Sequence, residues 1–189
     1  MKSMTRRKRN MLFILSGLVL AFAAVVFWPE DKDLDKRIMT NREKYIAILR
    51  STGRPGLDEV ICHLDSLGFF TFPGGAHHHT EEGGLVQHSL EVYRVMRCTS
   101  WFQRYDSIVM VALFHDMGKI GIGWHPWQSV KLLSDWGFEL TEREYNIILR
   151  HHRHGLRYYR SHLRRSLTIA DAISGIWWKL RHMNPFRKK

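Results

Sequence analysis

Cysteine is scarce: the 189 residues hold only Cys62 and Cys98, and neither stands in a CxxC pair or another metal-spaced cluster. A disulfide scaffold and a cysteine zinc site are therefore excluded as organising principles, while one bridge between the two remains open. Period-two alternation is also rare and β-rich runs are absent, which argues against a sheet and for an all-α domain. The one short stretch that reads as extended is Phe69, Phe70 and Phe72 before Pro73. From Leu57 onward there is no low-complexity stretch and no repeat, so that part reads as one continuous domain. Acidic residues are missing altogether from positions 1–28.

Hydrophobic residues, by contrast, make up 44% of the chain and aromatics 12%, enough for a compact core and too much for a disordered chain. The net charge is +11, a soft pointer to an anionic partner such as phosphate, nucleic acid or a lipid surface. Five of those eleven charges are Lys2, Arg6, Arg7, Lys8 and Arg9 in a basic tail over 1–10. The uncharged run Met11 to Trp28 follows, and at about 1.5 Å per residue its length approaches a hydrocarbon core of about 30 Å. We expect a transmembrane anchor over 11–28, with Trp28 at the far interface. A cleaved signal peptide is the rival reading, since Ala21 and Ala23 offer an AxA-like site. The positive-inside rule puts the N-terminus of a single-pass protein of a bacterial-type plasma membrane in the cytoplasm and the remainder outside. Residues 29–56 read as a juxtamembrane helix, with apolar positions from Leu34 to Leu49, and a linker broken at Gly53-Arg54-Pro55-Gly56.

Six helices are expected in the domain over 57–189. Leu57, Val60, Ile61, Leu64 and Leu67 make the first apolar face; the second helix starts after Gly83-Gly84 and carries Leu85, His88, Val92 and Val95. The run Ser107 to Gly118 is the third, Pro126 opens the fourth, and Thr141-Glu142-Arg143-Glu144 has capping-box spacing for the fifth. The sixth spans about 162–180.

The twelve histidines are the excess to be explained. The apolar third helix ends in the pair His115-Asp116, and an ionisable pair on such a helix needs a compensating partner. His88 lies on the buried face of the second helix, and Asp171 interrupts the apolar stretch Leu167 to Ile176 in the sixth. Three otherwise apolar helices each bring an acid or an imidazole inward, and one cation held by His88, His115, Asp116 and Asp171 accounts for all of them.

This ordered set, with GGLVQHSLEV around His88 and LFHDMGKI around His115-Asp116, resembles the HD superfamily of metal-dependent phosphohydrolases over roughly 57–180. Within it, AHHHTEEGGLVQHSLEV looks most like the HD domains of 3′–5′ exoribonucleases and of relaxases from integrative conjugative elements. The resemblance implies an α-helical HD-domain bundle in which His88, His115, Asp116 and Asp171 hold a divalent ion (Mn, Mg, Fe, Co, Ni or Zn). It implies hydrolysis of a phosphoester of a phosphorylated small molecule or nucleic acid, with Asp116 and Lys119 in the catalytic machinery. Lys119 would contact a phosphate oxygen, against the plainer reading of a solvated helix-end lysine. Many members bind a second metal through later histidines, for which His151 or His152 qualifies; His125 fits no position in this scheme. His77, His78 and His79 either line the cleft, with His78 and His79 contacting substrate, or form a polar loop without chemistry.

Residues 150–189 hold eleven Lys and Arg against one acid, Asp171. Arg150, Arg153, Arg157, Arg160 and Arg164 would share one face of a continuous helix, suited to a nucleic-acid backbone or anionic lipid, while Arg153 and Arg157 could instead clamp a phosphate. Two functions stay open: a membrane-anchored phosphohydrolase, and a non-catalytic HD-fold module that docks nucleic acid or a membrane complex of conjugation type.

Overall fold

The computed structural model describes residues 39–100, 102–152 and 161–182. The transmembrane expectation over 11–28, the basic tail, the segment 29–38 and the arginines Arg153, Arg157 and Arg160 lie outside these. Among the described residues no helix is long and apolar enough to cross a membrane.

Seven α-helices make up the described part: α1 Asn41–Arg50, α2 Leu57–Ser66, α3 Gly84–Thr99, α4 Tyr105–Phe114, α5 His125–Asp135, α6 Glu142–Leu149 and α7 His162–His182. The helices begin where side chains can satisfy exposed backbone donors. Thr40 and Glu43 form a full capping box at α1, and Thr141 and Glu144 form another at α6. Gly68 and Gly83, with φ of 70° and 72°, make left-handed turns that an L side chain resists, and so separate α2, a short 3₁₀ turn and α3.

Core placement follows the apolar patterning. α4 is buried along its length from Ser107 to Phe114, so it is the central helix, with α1, α3, α6 and α7 around it. α7 runs alongside α3, and α5 packs on the turn that follows α4 and on α6. The helix at 41–50 packs on the bundle: Tyr45 and Leu49 are fully buried in the same core as α2 to α7, and Tyr45 Oη donates to the Leu113 carbonyl at 2.7 Å. The bundle therefore takes in residues upstream of Leu57, because α1 supplies one wall of the central helix.

Two local expectations are corrected. Phe69–Thr71 is a 3₁₀ turn rather than an extended segment, since Phe69 turns inward to pack on Tyr45 with ring centres 5.3 Å apart. The arginine stripe is interrupted as well. α6 stops at Leu149, Arg150 leaves helical geometry at φ −118°, and Arg164 is buried on α7 and donates to the Arg150 carbonyl, so these two share no exposed helix face. Cys62 and Cys98 are free thiols.

Candidate metal centre

α4 ends at Phe114, and the pair His115-Asp116 lies just past it instead of inside a helix continuing to Gly118. His115 keeps helical angles, Asp116 departs at φ −106°, and the chain turns through a 3₁₀ segment, Met117–Ile120. The pair thus sits at the mouth of the bundle while still buried, with His115 fully covered. His88 on α3 is also fully covered.

Asp116 is the hub. Its Oδ2 lies 2.6 Å from Lys119 Nζ, 3.3 Å from His88 Nε2 and 3.5 Å from His115 Nε2. Its Oδ1 lies 3.0 Å from His125 Nε2 and 3.5 Å from His151 Nε2. Asp171 Oδ1 on α7 also lies 3.3 Å from His88 Nε2.

The ring orientations determine what these atoms can do. His115 Nδ1 is 2.9 Å from the Ala112 carbonyl, and His151 Nδ1 is 2.7 Å from the Ile148 carbonyl. A carbonyl only accepts, so each Nδ1 carries a proton and each Nε2 turns a lone pair toward Asp116. Both histidines follow a helix end by one or two residues, and both use the carbonyl three positions back. Of six buried polar side-chain atoms that lack a hydrogen bond among the described residues, four are His88 Nε2, His115 Nε2, Asp116 Oδ1 and His151 Nε2. Lone pairs that converge on a carboxylate, buried and unpaired, are costly unless a cation stands among them. The donor set of imidazole nitrogens and carboxylate oxygens fits a divalent first-row metal or hydrated magnesium.

Protonation behaviour carries the same signature. Burial disfavours charge on His88, yet hydrogen bonds to Asp116 and Asp171 outweigh it and raise its pKa to about 9, so a proton is attracted to the place a cation would take. Burial pushes His115 down to about 3, keeping it neutral. Burial alone would raise the Asp116 and Asp171 carboxyls, but the surrounding imidazoles hold both below the usual carboxylate range.

Two groups of ligand atoms meet at Asp116. His88, His115, Asp116 and Asp171 form one, and Asp116, His125, His151 and His152 form the other, each with its atoms within 4.8 Å of one another. His151 and His152 both belong to the second group, the latter with Nε2 2.9 Å from His125 Nε2. A third group, His78, His79 and His88, differs: both ring nitrogens of His79 are engaged, Nε2 with Glu91 Oε2 at 3.1 Å and Nδ1 with His78 Nδ1 at 3.0 Å. It is a hydrogen-bonded wall. The centre opens toward solvent where Asp171, Lys119 and His125 stand, with side chains 28%, 22% and 21% exposed. Lys119 also donates to the Gly74 carbonyl at 2.9 Å, so it spans that opening.

His125 is the residue that sequence reasoning left unplaced. It reaches Asp116 because Gly118 lets the start of α5 pack on the turn; a Cβ at 118 would run into the His125 carbonyl and the Ser129 amide. Ser129 Oγ fastens the same contact, accepting from Gly118 N at 2.8 Å and donating to the His115 carbonyl at 3.0 Å. Glu91 and Ser174 also escaped notice, although each stands three residues after a candidate ligand, His88 or Asp171, on the same helix face.

Residues 85–176 match the family model of the HD domain, a span that contains both ligand groups. No curated protein and no solved structure matches the chain. An HD domain that carries this buried His/Asp cluster points to a metal-dependent phosphohydrolase.

Proposed function

We propose that this chain, whose residues 85–176 form an HD domain, hydrolyses a phosphoester of a nucleotide or nucleic acid and is held at a membrane by residues 11–28. The observation that carries the catalytic reading is the convergence of three buried imidazole Nε2 atoms, those of His88, His115 and His151, on the two oxygens of Asp116 at 3.3 to 3.5 Å. His88, His115, Asp116 and Asp171 would hold a divalent ion, and the His125, His151 and His152 group a second that shares Asp116. Such an ion polarises a phosphoryl oxygen and lowers the pKa of water, which supplies a nucleophile at neutral pH.

The chain's own residues do the rest. Asp116 offers one oxygen to each ligand group, so it fixes their spacing and their combined charge. The carbonyls of Ala112 and Ile148 lock His115 and His151 against ring rotation. Lys119, on the open side and within 2.6 Å of Asp116, is placed to take a non-bridging phosphate oxygen and offset the charge that builds there. His78, half-buried beside His88, lines the wall next to that opening.

The nucleotide or nucleic-acid assignment rests on the likeness of AHHHTEEGGLVQHSLEV to exoribonuclease and relaxase HD domains and on the eleven basic residues after Leu149. The same basic stretch favours a second reading, an accessory module that docks nucleic acid or a membrane complex without hydrolysis. One experiment separates the two. The full chain in detergent with Mn²⁺ is assayed for hydrolysis of bis-p-nitrophenyl phosphate and for salt-dependent binding of single-stranded RNA. Turnover lost in the His115→Ala, Asp116→Ala variant is expected; turnover retained there rejects the enzyme reading, and tight binding with no wild-type turnover supports the module.

A further inference from the structure

Glu91 is a partly buried carboxylate between α3 and α7, used nowhere in the chemistry above. Each of its oxygens is engaged. Oε1 takes Gln87 Nε2 at 3.2 Å and faces Arg181 Nη1 at 3.5 Å; Oε2 takes Ser174 Oγ at 2.7 Å and His79 Nε2 at 3.1 Å. Following the protons outward from this acceptor leads to two places in the site.

On the first branch, Ser174 has one hydroxyl proton and donates it to Glu91, so toward His88 Nδ1, 3.1 Å away, it can only accept. His88 must carry a proton on Nδ1, which leaves Nε2, facing Asp116 and Asp171, as the nitrogen at which an ion would replace a proton. His115 and His151 achieve this state through backbone carbonyls; His88 sits mid-helix on α3, where the i−4 carbonyls are taken by the helix itself, and needs a side-chain acceptor instead. On the second branch, a neutral His79 ring that donates Nε2–H to Glu91 has an accepting Nδ1, which takes His78 Nδ1–H. That leaves His78 with an acceptor nitrogen, Nε2, at the half-exposed rim beside Gly175.

The loop that carries His79 is built at a cost. His79 is fully buried with a left-handed φ of 52°, uncommon for a residue with a Cβ. Gly74 and Gly84 close around it so tightly that a Cβ at either position would strike His79.

We propose that Glu91 is a positioning residue of the metal centre: through Ser174 it holds the His88 ring with Nε2 free for the ion, and through His79 it fixes His78 as a hydrogen-bond acceptor at the rim. The inference rests on the reading of His88 as an ion ligand. Outer acceptors of this kind tune ligand orientation and metal affinity by about 10- to 100-fold.

The test measures affinity for Zn²⁺ by chelator competition on the full chain in detergent, alongside thermal unfolding without metal. Ser174→Ala and Glu91→Gln are each expected to weaken Zn²⁺ by about 10- to 100-fold, with little change in metal-free unfolding for Ser174→Ala and some loss of stability for Glu91→Gln, which takes the charge away from His79 and Arg181. Ser174→Thr, which keeps the hydroxyl, restores affinity. Because both residues act along one path, the double variant is expected to bind no worse than the poorer single one. Wild-type affinity in Ser174→Ala or Glu91→Gln overturns the proposal, as do losses that simply add. If Ser174→Ala fails to fold, Glu91→Gln decides alone, since it keeps the side chain's shape. A wild-type chain that binds no Zn²⁺ overturns the ligand assignment itself, which is a different failure from variants that bind as well as wild type.

Discussion

Two buried carboxylates, Glu144 and Asp116, stand in similar cover and opposite company. Glu144, at the start of α6, is fully buried and accepts from Ser107 Oγ at 2.7 Å, Arg54 Nη1 at 2.8 Å and Thr141 N at 2.9 Å. Every neighbour brings a proton. Asp116 is ringed by imidazoles of which at least two, His115 and His151, are turned by their own backbone to present a lone pair. A protein that needed only to stabilise a buried carboxylate would build the first arrangement. The second leaves imidazole lone pairs aimed at a carboxylate that has one ammonium, Lys119, on its open side, an arrangement suited to a bound cation, whereas the first is a staple.

The contrast can be broken at its structural end with the largest effect. Glu144→Gln strips the charge from a buried pair and strands Arg54, so a loss of about 3 kcal/mol in unfolding free energy is expected, read by urea denaturation, with activity per folded molecule retained. The acid limb should change with it. Burial alone would raise the Glu144 carboxyl, but the donors from Arg54, Ser107 and Thr141 hold its folded pKa below the ordinary value. The stability this contributes is present above the unfolded pKa of about 4.3 and is lost as pH falls through the folded value; in Glu144→Gln that part of the acid-induced decline disappears.

At the other carboxylate the balance shifts toward metal. Asp116→Asn should cost some metal-free stability, since it takes the carboxylate away from Lys119 and His88, and its larger effect should appear when metal is added. It should abolish the stabilisation that Mn²⁺ gives the wild type, about 2.7 kcal/mol at a hundredfold excess over Kd, read as a shift in thermal midpoint. An equal shift in Asp116→Asn would erase the distinction drawn between the two carboxylates. The smallest effect belongs to the cap that both holds Glu144 and starts α6: Thr141→Ala should cost about 1 kcal/mol, because its hydroxyl accepts from Glu144 N while Glu144 also takes the Thr141 amide. A loss nearer the Glu144→Gln value would show that the cap and the ion pair act as one unit.

These two regions also differ in how far they could be read from the chain. Thr141 and Glu144 were legible as a capping box because the motif is local, and the helices around it follow from 3.6-residue apolar spacing. His88, His115, Asp116 and Asp171 were legible as a set because each interrupts an apolar helix face, a conflict visible without coordinates. His125 was not, because its approach depends on a backbone contact at Gly118 that no periodicity encodes. Glu91 and Ser174 read as ordinary polar residues until α3 and α7 are seen side by side. Arg150 and Arg164 looked alike at helical spacing, but Arg150 lies just past the end of α6 and Arg164 on α7, since the chain leaves α6 at Leu149 to carry His151 inward.

Gly118 has a consequence for how such a centre can diverge. The half of the site built from His88, His115 and Asp171 depends on α3, α4 and α7, whereas the half containing His125 depends on α5 lying against a residue that has only hydrogen where others have carbon. A single methyl group at that position would lever α5 outward and leave the first half standing, so one codon separates a chain with both candidate ligand groups from a chain with the first alone.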